Sequence, residues 1–317
     1  MNGDTVLCQS LPAITMAAWA DVQYSFFINP GFLYFMIKPL LAAVFCGLAV
    51  FADAHAADDD WNKPVEPFQI YGNTYYVGVS SLSSVLVTSP QGHILLDGGY
   101  PDSPQRIAAS VRKLGFRVRD IKLILSSHDH FDHVGGIAEL QRMTGATVVA
   151  SPPTAAGLKR GSMAKDDPQF VGSTPFAKVS KVRTVRDGET VKVGPLAVTA
   201  MFTPGHTEGG TSWTWRSCEQ DRCASIVYAD SINAISSDGY KFTEHPEVVK
   251  QFEQSYAALE RAPCDIIVAV HPEFSGMWEK RKSGKPDAFL DGGEGCKAYV
   301  KVARDKLNLR LASEAGK

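Results

Sequence analysis

Ser126-Ser127-His128-Asp129-His130-Phe131-Asp132-His133 follows the apolar run Ile121–Leu125, and the reading of this stretch decides the fold. A short, continuously apolar run is what a strand buried on both faces requires, so the polar residues begin where a strand ends. His128 and His130, two apart in extended backbone, point the same way. Asp132 and His133 open the next helical turn and point elsewhere. Imidazole and carboxylate groups without a thiolate favour zinc, iron or manganese, and two ligand sets aimed apart suit two adjacent metals. Gly135-Gly136 lets the backbone turn tightly into the helix that follows. A polar surface loop with chance histidines is the competing reading, but clusters this dense are rare away from metals.

Outward from this point the chain alternates strand and helix. Residues 70–79, 84–88 and 93–96 read as strands, the last ending sharply at Asp97-Gly98-Gly99. Residues 105–114 carry the helical spacing of Ile107, Val111 and Leu114, and 134–143 reads as a second helix. A strand at 147–150 precedes 151–178, which is rich in Gly, Pro, Ser and charge and reads as a long loop over one end of the fold. Strands are expected at 179–185, 190–193, 196–202, 211–216 and 224–228, a helix at 246–260, a buried strand at 266–270 and a terminal helix at 297–312. The pattern predicts an α/β fold, a sandwich of two sheets covered outside by helices.

Two later histidines also follow strands. His206 lies in Thr203-Pro204-Gly205-His206-Thr207, and His271 in Val270-His271-Pro272. Either alone fits a structural histidine at a strand end. Together with the first cluster they make three strands that each finish in a histidine, and strand ends at one edge of a sheet converge on a shared site. His93 and His245 lack this placement.

The whole chain of 317 residues is 21% charged and 44% hydrophobic, which excludes disorder, a collagen-like fibre and a small disulfide-held scaffold. Setting aside Asp4, Asp21, Asp53 and Lys38 of residues 1–56 leaves 31 acidic and 31 basic residues. A neutral body without Lys/Arg runs gives no electrostatic case for nucleic acid or an anionic membrane, and a monomer is expected. Met36-Ile37-Lys38, the uncharged run 39–52 and Ala54-His55-Ala56 read as a secretory signal peptide over 36–56, cleaved after Ala56. Residues 1–35 lack a basic start and read as a non-native upstream extension, which leaves 57–317 as one domain in the periplasm or secreted. An uncleaved membrane anchor is the alternative.

Cysteine usage agrees with export. Without Cys8 and Cys46, the chain keeps Cys218, Cys223, Cys264 and Cys296, which allow three pairings. Cys218 and Cys223 flank a polar turn between two strands, so a hairpin brings them together, and Cys264–Cys296 then ties the terminal helix to the body. Reduced, buried thiols are the alternative.

At this point the sequence resembles the metallo-β-lactamase fold hydrolases, from Trp61 to the C-terminal helix. Their His-x-His-x-Asp-His signature is matched at 128–133, with further matches at His206, His271 and Asp97. The resemblance implies an αββα sandwich of two mixed sheets flanked by helices, and two zinc ions, one held by His128, His130 and His206, the other by Asp132, His133 and His271. It implies that Asp97 orders the ligand loop from behind. Residues 203–215, Tyr228-Ala229-Asp230-Ser231 and Cys264, seven residues before His271, are similar to subclass B3. In that subclass Ser231 and the residue at Asn233 hold the substrate carboxylate, although Ser or Thr is usual at the second place. Tyr240 matches a tyrosine that steadies the oxyanion, across a somewhat lengthened loop. Gln169 and Phe170, in the long loop, are candidates for substrate contact, or else ordinary surface residues. Asp230 is not a ligand on this reading, whereas in glyoxalase-like and lactonase-like relatives an Asp near here bridges the metals.

The implied chemistry is hydrolysis of a β-lactam ring amide by a zinc-bound hydroxide, with Asp132 orienting the nucleophile or relaying its proton. Penicillins, cephalosporins and carbapenems are the implied small-molecule substrates. An exported two-metal hydrolase of lactones, thioesters or phosphoesters is the main alternative. A non-enzymatic metal-binding protein ranks last, because all six ligand positions are intact.

Overall fold

The computed structural model describes residues 61–172 and 174–316. The expected upstream extension, the signal peptide with its cleavage after Ala56, and Cys8 and Cys46 fall outside the described residues.

Two sheets face each other. The first has the order β1-β2-β3-β4-β5-β6-β7: β1 (Phe68–Tyr71), β2 (Thr74–Tyr76), β3 (Val85–Val87), β4 (His93–Leu96), β5 (Ile121–Leu125), β6 (Thr147–Ala150) and β7 (Val182–Thr184). Antiparallel pairing runs from β1 to β4 and parallel pairing from β4 to β7. The second sheet has the order β12-β11-β10-β9-β8: β8 (Thr190–Val193), β9 (Leu196–Phe202), β10 (Thr211–Glu219), β11 (Arg222–Ala229) and β12 (Ile266–Ala269). Only its β11–β12 pair is parallel. Both sheets are therefore mixed, as expected.

The strands' side chains explain the layers. Ile94, Leu96, Leu125, Val149, Val198, Trp213, Ile226, Tyr228 and Val268 fill the space between the sheets. Leu95, Ile124 and Val148 point the other way, under α1 (Ser103–Lys113), α3 (Ile137–Thr144) and α4 (Pro152–Arg160), which bury Ile107, Val111, Ile137, Leu140 and Leu158. On the far side Val227, Ile267 and Ala269 meet Phe252, Tyr256 and Leu259 of α5 (Pro246–Arg261) and Val300, Ala303 and Leu307 of α7 (Gly295–Glu314). Strands covered on both faces need apolar residues at every position, and β4 and β12 are buried throughout. The short α2 (Phe131–Val134) and α6 (Met277–Ser283) are the remaining α-helices among the described residues. Among the described residues no helix is long and apolar enough to cross a membrane.

Three expectations need correction. The single strand expected at 70–79 is a hairpin, because Tyr71 pairs with Thr74 across a two-residue turn in which Gly72 takes φ 52°. A Cβ there would lie 2.5 Å from the Cys218 carbonyl oxygen, so only glycine fits. The loop expected over 151–178 contains α4, which starts on Pro152-Pro153 and buries Thr154, Ala155, Gly157 and Leu158. Gly157, which reads as a helix breaker, is there because a Cβ would sit 2.0 Å from Asp129 Oδ2. The helix expected over 134–143 is broken at Gly135-Gly136 into α2 and α3.

Both expected disulfides form: Cys218–Cys223 across the β10–β11 hairpin, and Cys264–Cys296 between the entry to β12 and α7, with sequence separations of 5 and 32. Loop-closure entropy makes the first worth about 2 kcal/mol and the second about 4 kcal/mol. Thermal denaturation of the two paired Cys→Ala variants should show the larger drop for Cys264/Cys296; the reverse order would mean that loop closure does not govern their contribution.

Candidate metal centre

All six ligand candidates stand at strand ends on one edge of the sandwich. The chain leaves β5 extended through His130, whose φ and ψ of −77° and 144° cap α2. The helix then rotates Asp132 and His133 away from His128 and His130, as the residue pattern predicts. His206 arrives after β9 and His271 after β12. The result is two triads, His128–His130–His206 and Asp132–His133–His271, each offering ligand atoms within 4.8 Å of one another. In the second triad His133 Nε2 lies 3.2 Å from both His271 Nε2 and Asp132 Oδ2. In the first, the His128 ring stands 4.7 Å from that of His130 and 5.1 Å from that of His206.

Partners on the far side of four of the five rings set which nitrogen faces inward. His128 Nδ1–H donates to Asp230 Oδ1 at 2.7 Å, His206 Nδ1–H to the Asn233 carbonyl at 3.0 Å, and His271 Nδ1–H to the Ser81 carbonyl at 3.0 Å. His130 is turned the other way, with Nε2 3.1 Å from Asp167 Oδ2, which leaves Nδ1 for the cluster. His128 Nε2 is buried without a hydrogen-bond partner. A buried nitrogen of that kind needs an occupant, and imidazoles oriented from behind by carboxylate and carbonyl groups are what divalent metals require. The donor set fits two such ions.

The charges agree. Burial pushes His206 down to about 3, helped by His130, and His271 down to about 4, helped by His133. Burial and the neighbouring histidines also hold His128 well below its usual value. His133 is the exception: burial opposes its charge, yet Asp132, through charge and hydrogen bond, with Asp97 and Asp230 behind, raises it to about 9. Burial raises the Asp132 carboxyl, but His133 and His271 outweigh this and hold it well below the usual carboxylate range.

A cavity of about 590 Å³ opens over the triads, lined by His130, Asp132, His133, His206 and His271 together with Ser231 and Gln169. The Gln169 amide stands 3.1 Å from His206 Nε2. The other candidates are not brought to this cavity. The Asn233 side chain lines a neighbouring space with Ile267 and Tyr299. The Tyr240 ring stacks on His245 at 4.3 Å and faces a different groove, where Asp129 and Glu247 also lie. Phe170 is half-buried, its amide bonded to the Asp167 carbonyl, and is not part of the cavity lining. Asp230 is set behind His128 rather than between the triads. Residue patterns missed Asp167 and Ser81, which lie in segments without periodicity, and the apolar rim of Trp61 and Phe274.

The family described as the metallo-beta-lactamase superfamily matches residues 77–271. The chain is similar to the crystal structure of metallo-beta-lactamase SMB-1, with 49% identity, TM-score 0.78, and 80% of this chain and 99% of that chain covered. It is similar also to MEM-A1, a subclass B3 metallo-beta-lactamase from a soil metagenome library, with 47% identity, TM-score 0.78, and 81% and 99% covered. Among curated proteins, a hydroxyacylglutathione hydrolase of Methylobacterium nodulans is 37% identical over 100 residues, 32% of this chain and 30% of that protein. The chain thus spans about a third of the length of the first curated relatives it matches.

Two measurements check the centre. His133, raised to about 9, carries a proton at pH 7.5 in the metal-free protein, whereas the lowered histidines do not. Metal requires neutral imidazole, so filling the second triad at that pH releases about one proton, and affinity there rises with pH up to about 9. Calorimetry in buffers of different ionisation enthalpy counts that proton, and a count of zero would refute the charge assignment. Asp230→Asn should weaken the first triad about 10–100-fold in a chelator competition and leave the second nearly unchanged.

Proposed function

The chain belongs to the metallo-beta-lactamase superfamily and is a subclass B3-like hydrolase, and from that premise we propose that it is a zinc-dependent β-lactamase acting on penicillins, cephalosporins and carbapenems, and so conferring antibiotic resistance. The observation that carries this reading is the division of labour at Asp230-Ser231. Asp230 backs His128 and belongs to neither triad, and Ser231 lines the cavity over the triads. A hydrolase with a bridging aspartate needs the opposite arrangement.

His128, His130 and His206 would hold one zinc ion, and Asp132, His133 and His271 the other. Bound there, the two ions supply Lewis acidity and a water whose pKa falls toward about 7. The chain's own residues do the rest. The carbonyls of Asn233 and Ser81 and the carboxylates of Asp230 and Asp167 keep the four imidazoles aimed without rearrangement during the reaction. The Asp132 carboxylate, which would be a ligand of the second ion, also orients the nucleophile or relays its proton at the cavity floor. The Ser231 hydroxyl donates to the carboxylate that β-lactams carry beside the ring nitrogen, and the Gln169 amide covers the substrate from the overhanging loop. Asn233 acts through its carbonyl on His206 in this reading. Trp61, Val171, Ile235 and Phe274 keep water from the mouth. A cavity of about 590 Å³ is within the range for small-molecule sites.

The two disulfides support an exported protein, because such bonds persist in oxidising compartments. We place it in the periplasm, as one hydrolase domain over 57–317 beginning at Ala57, and as a monomer.

Purified mature protein should hydrolyse a chromogenic cephalosporin and lose that activity on exhaustive chelation. Ser231→Ala should raise KM for penicillins and carbapenems about tenfold with metal content unchanged, since a hydrogen bond to a charged group contributes about 1.5–3 kcal/mol. Turnover of a hydroxyacylglutathione thioester or a homoserine lactone faster than that of any β-lactam would overturn the reading in favour of the thioesterase or lactonase.

A further inference from the structure

The mouth of the cavity has an unusual make-up. Among the described residues, Trp61, Val171, Ile235, Phe274, Val302 and Leu309 are the exposed large apolar side chains, and the first four all line this cavity. No Lys or Arg lines it. Its carboxylates are Asp132, which belongs to the second triad, and Glu273. Glu273 is exposed, and its carboxylate accepts its own backbone amide, with no salt bridge to a Lys or Arg among the described residues. It sits on the turn Pro272–Ser275, directly after His271. That turn is rigid: the Ser275 hydroxyl donates to the Pro272 carbonyl at 3.1 Å and accepts the Ala269 amide at 3.2 Å, and the Phe274 amide bonds back to the His271 carbonyl. Trp61 and Phe274 flank it, both edge-on to the His271 ring, with centroids 5.8 and 5.7 Å away. The cation near Phe274, Lys306, stands 5.4 Å over its ring and lines the neighbouring space with Asn233 instead.

We propose that Glu273 is a specificity-determining residue that selects β-lactams whose side chain joins an aromatic or apolar group to a cationic amine. The inference rests on the β-lactamase reading above and deepens it. A substrate whose ring lies over the triads extends its substituents to the rim. There an apolar group meets Trp61 and Phe274, and an ammonium beside it meets a carboxylate that has no Lys or Arg partner. A second carboxylate on the substrate meets the same charge and is repelled. No Lys or Arg of the lining offsets that repulsion.

The test compares benzylpenicillin with its α-amino and α-carboxy derivatives, which share one ring system and one phenyl group and differ in side-chain charge. The readout is kcat/KM of each charged derivative relative to benzylpenicillin. The wild-type protein should prefer the amino over the carboxy derivative, and Glu273→Gln should narrow that ratio about five- to tenfold at low ionic strength, as expected for a solvated charge several ångströms away. Glu273→Lys should invert the preference. About 1 M salt should shrink the wild-type ratio toward that of Glu273→Gln, because screening then acts within about 3 Å. A ratio unchanged in both variants and insensitive to salt would overturn the role of Glu273 while leaving the β-lactamase reading standing. Failure of the wild-type protein to open any of the three penicillins would overturn that reading, and this one with it.

Discussion

The buried carboxylate of Asp97 joins the parts of this protein that must not move relative to one another. It stands just past β4 with φ 56°, in the left-handed region, and is fully buried. Oδ1 accepts the Ser127 amide at 2.8 Å, while Oδ2 accepts the Ser127 hydroxyl at 2.7 Å and the Tyr228 hydroxyl at 2.8 Å. Ser127 begins the ligand loop of the first sheet, and Tyr228 belongs to β11 of the second. One side chain therefore sets the height of the loop over both sheets. Burial raises this carboxyl, whereas the His133 charge and the Ser127 and Tyr228 hydrogen bonds favour its anion. A buried charge with three donors is costly to disturb, because losing any one leaves the rest unsatisfied.

The same economy extends to the sandwich interior. Trp213, buried on β10, donates its indole N–H to the Ser126 carbonyl at 3.1 Å. The Thr211 amide bonds the Ser127 carbonyl at 2.9 Å. The ligand loop is thus held from the second sheet by backbone and side chain alike, although β5 belongs to the first. His206 and His271, which also rise from the second sheet, meet His128 and His133 across this joint. Positions defined by rigid strands suit a site whose ligand atoms must agree to within fractions of an ångström.

Charge follows a gradient from floor to rim. At the floor, buried carboxylates stand behind the imidazoles: Asp230 behind His128, Asp97 near His133 and Asp167 behind His130. In the metal-free protein the proton on His133 offsets part of that charge. At the rim the surface turns apolar, broken by Glu273. Burial raises the Asp230 and Asp97 carboxyls, so the anion held at the floor is Asp132, while the rim selects what reaches it.

Much was legible in the residue order because the chemistry is local there. Periodicity told strands from helices, since burying one or both faces demands a fixed apolar spacing. The spacing of 128–133 separated two ligand sets because strand and helix aim neighbouring side chains differently. The polar turn between Cys218 and Cys223 marked a hairpin disulfide. What failed depended on distant neighbours. Gly157 reads as a breaker until Asp129 is packed against it, and Gly72 reads as part of a strand until the β10 backbone closes over it. Tyr240 matches a family position in the sequence, yet its ring follows His245 and faces away. Asp167, Ser81 and Glu273 carry no signal at all, because a carboxylate or carbonyl acquires its role from the histidine brought beside it. The sequence by itself determined the layers, through apolar spacing, and singled out the six candidate ligands, through donor type and the family motif. Only the tertiary structure decided which groups stand behind each ligand and which line the mouth, since those pairings join residues as far apart as Ser81 and His271, whose meeting is a property of the packed sheets and not of any local pattern.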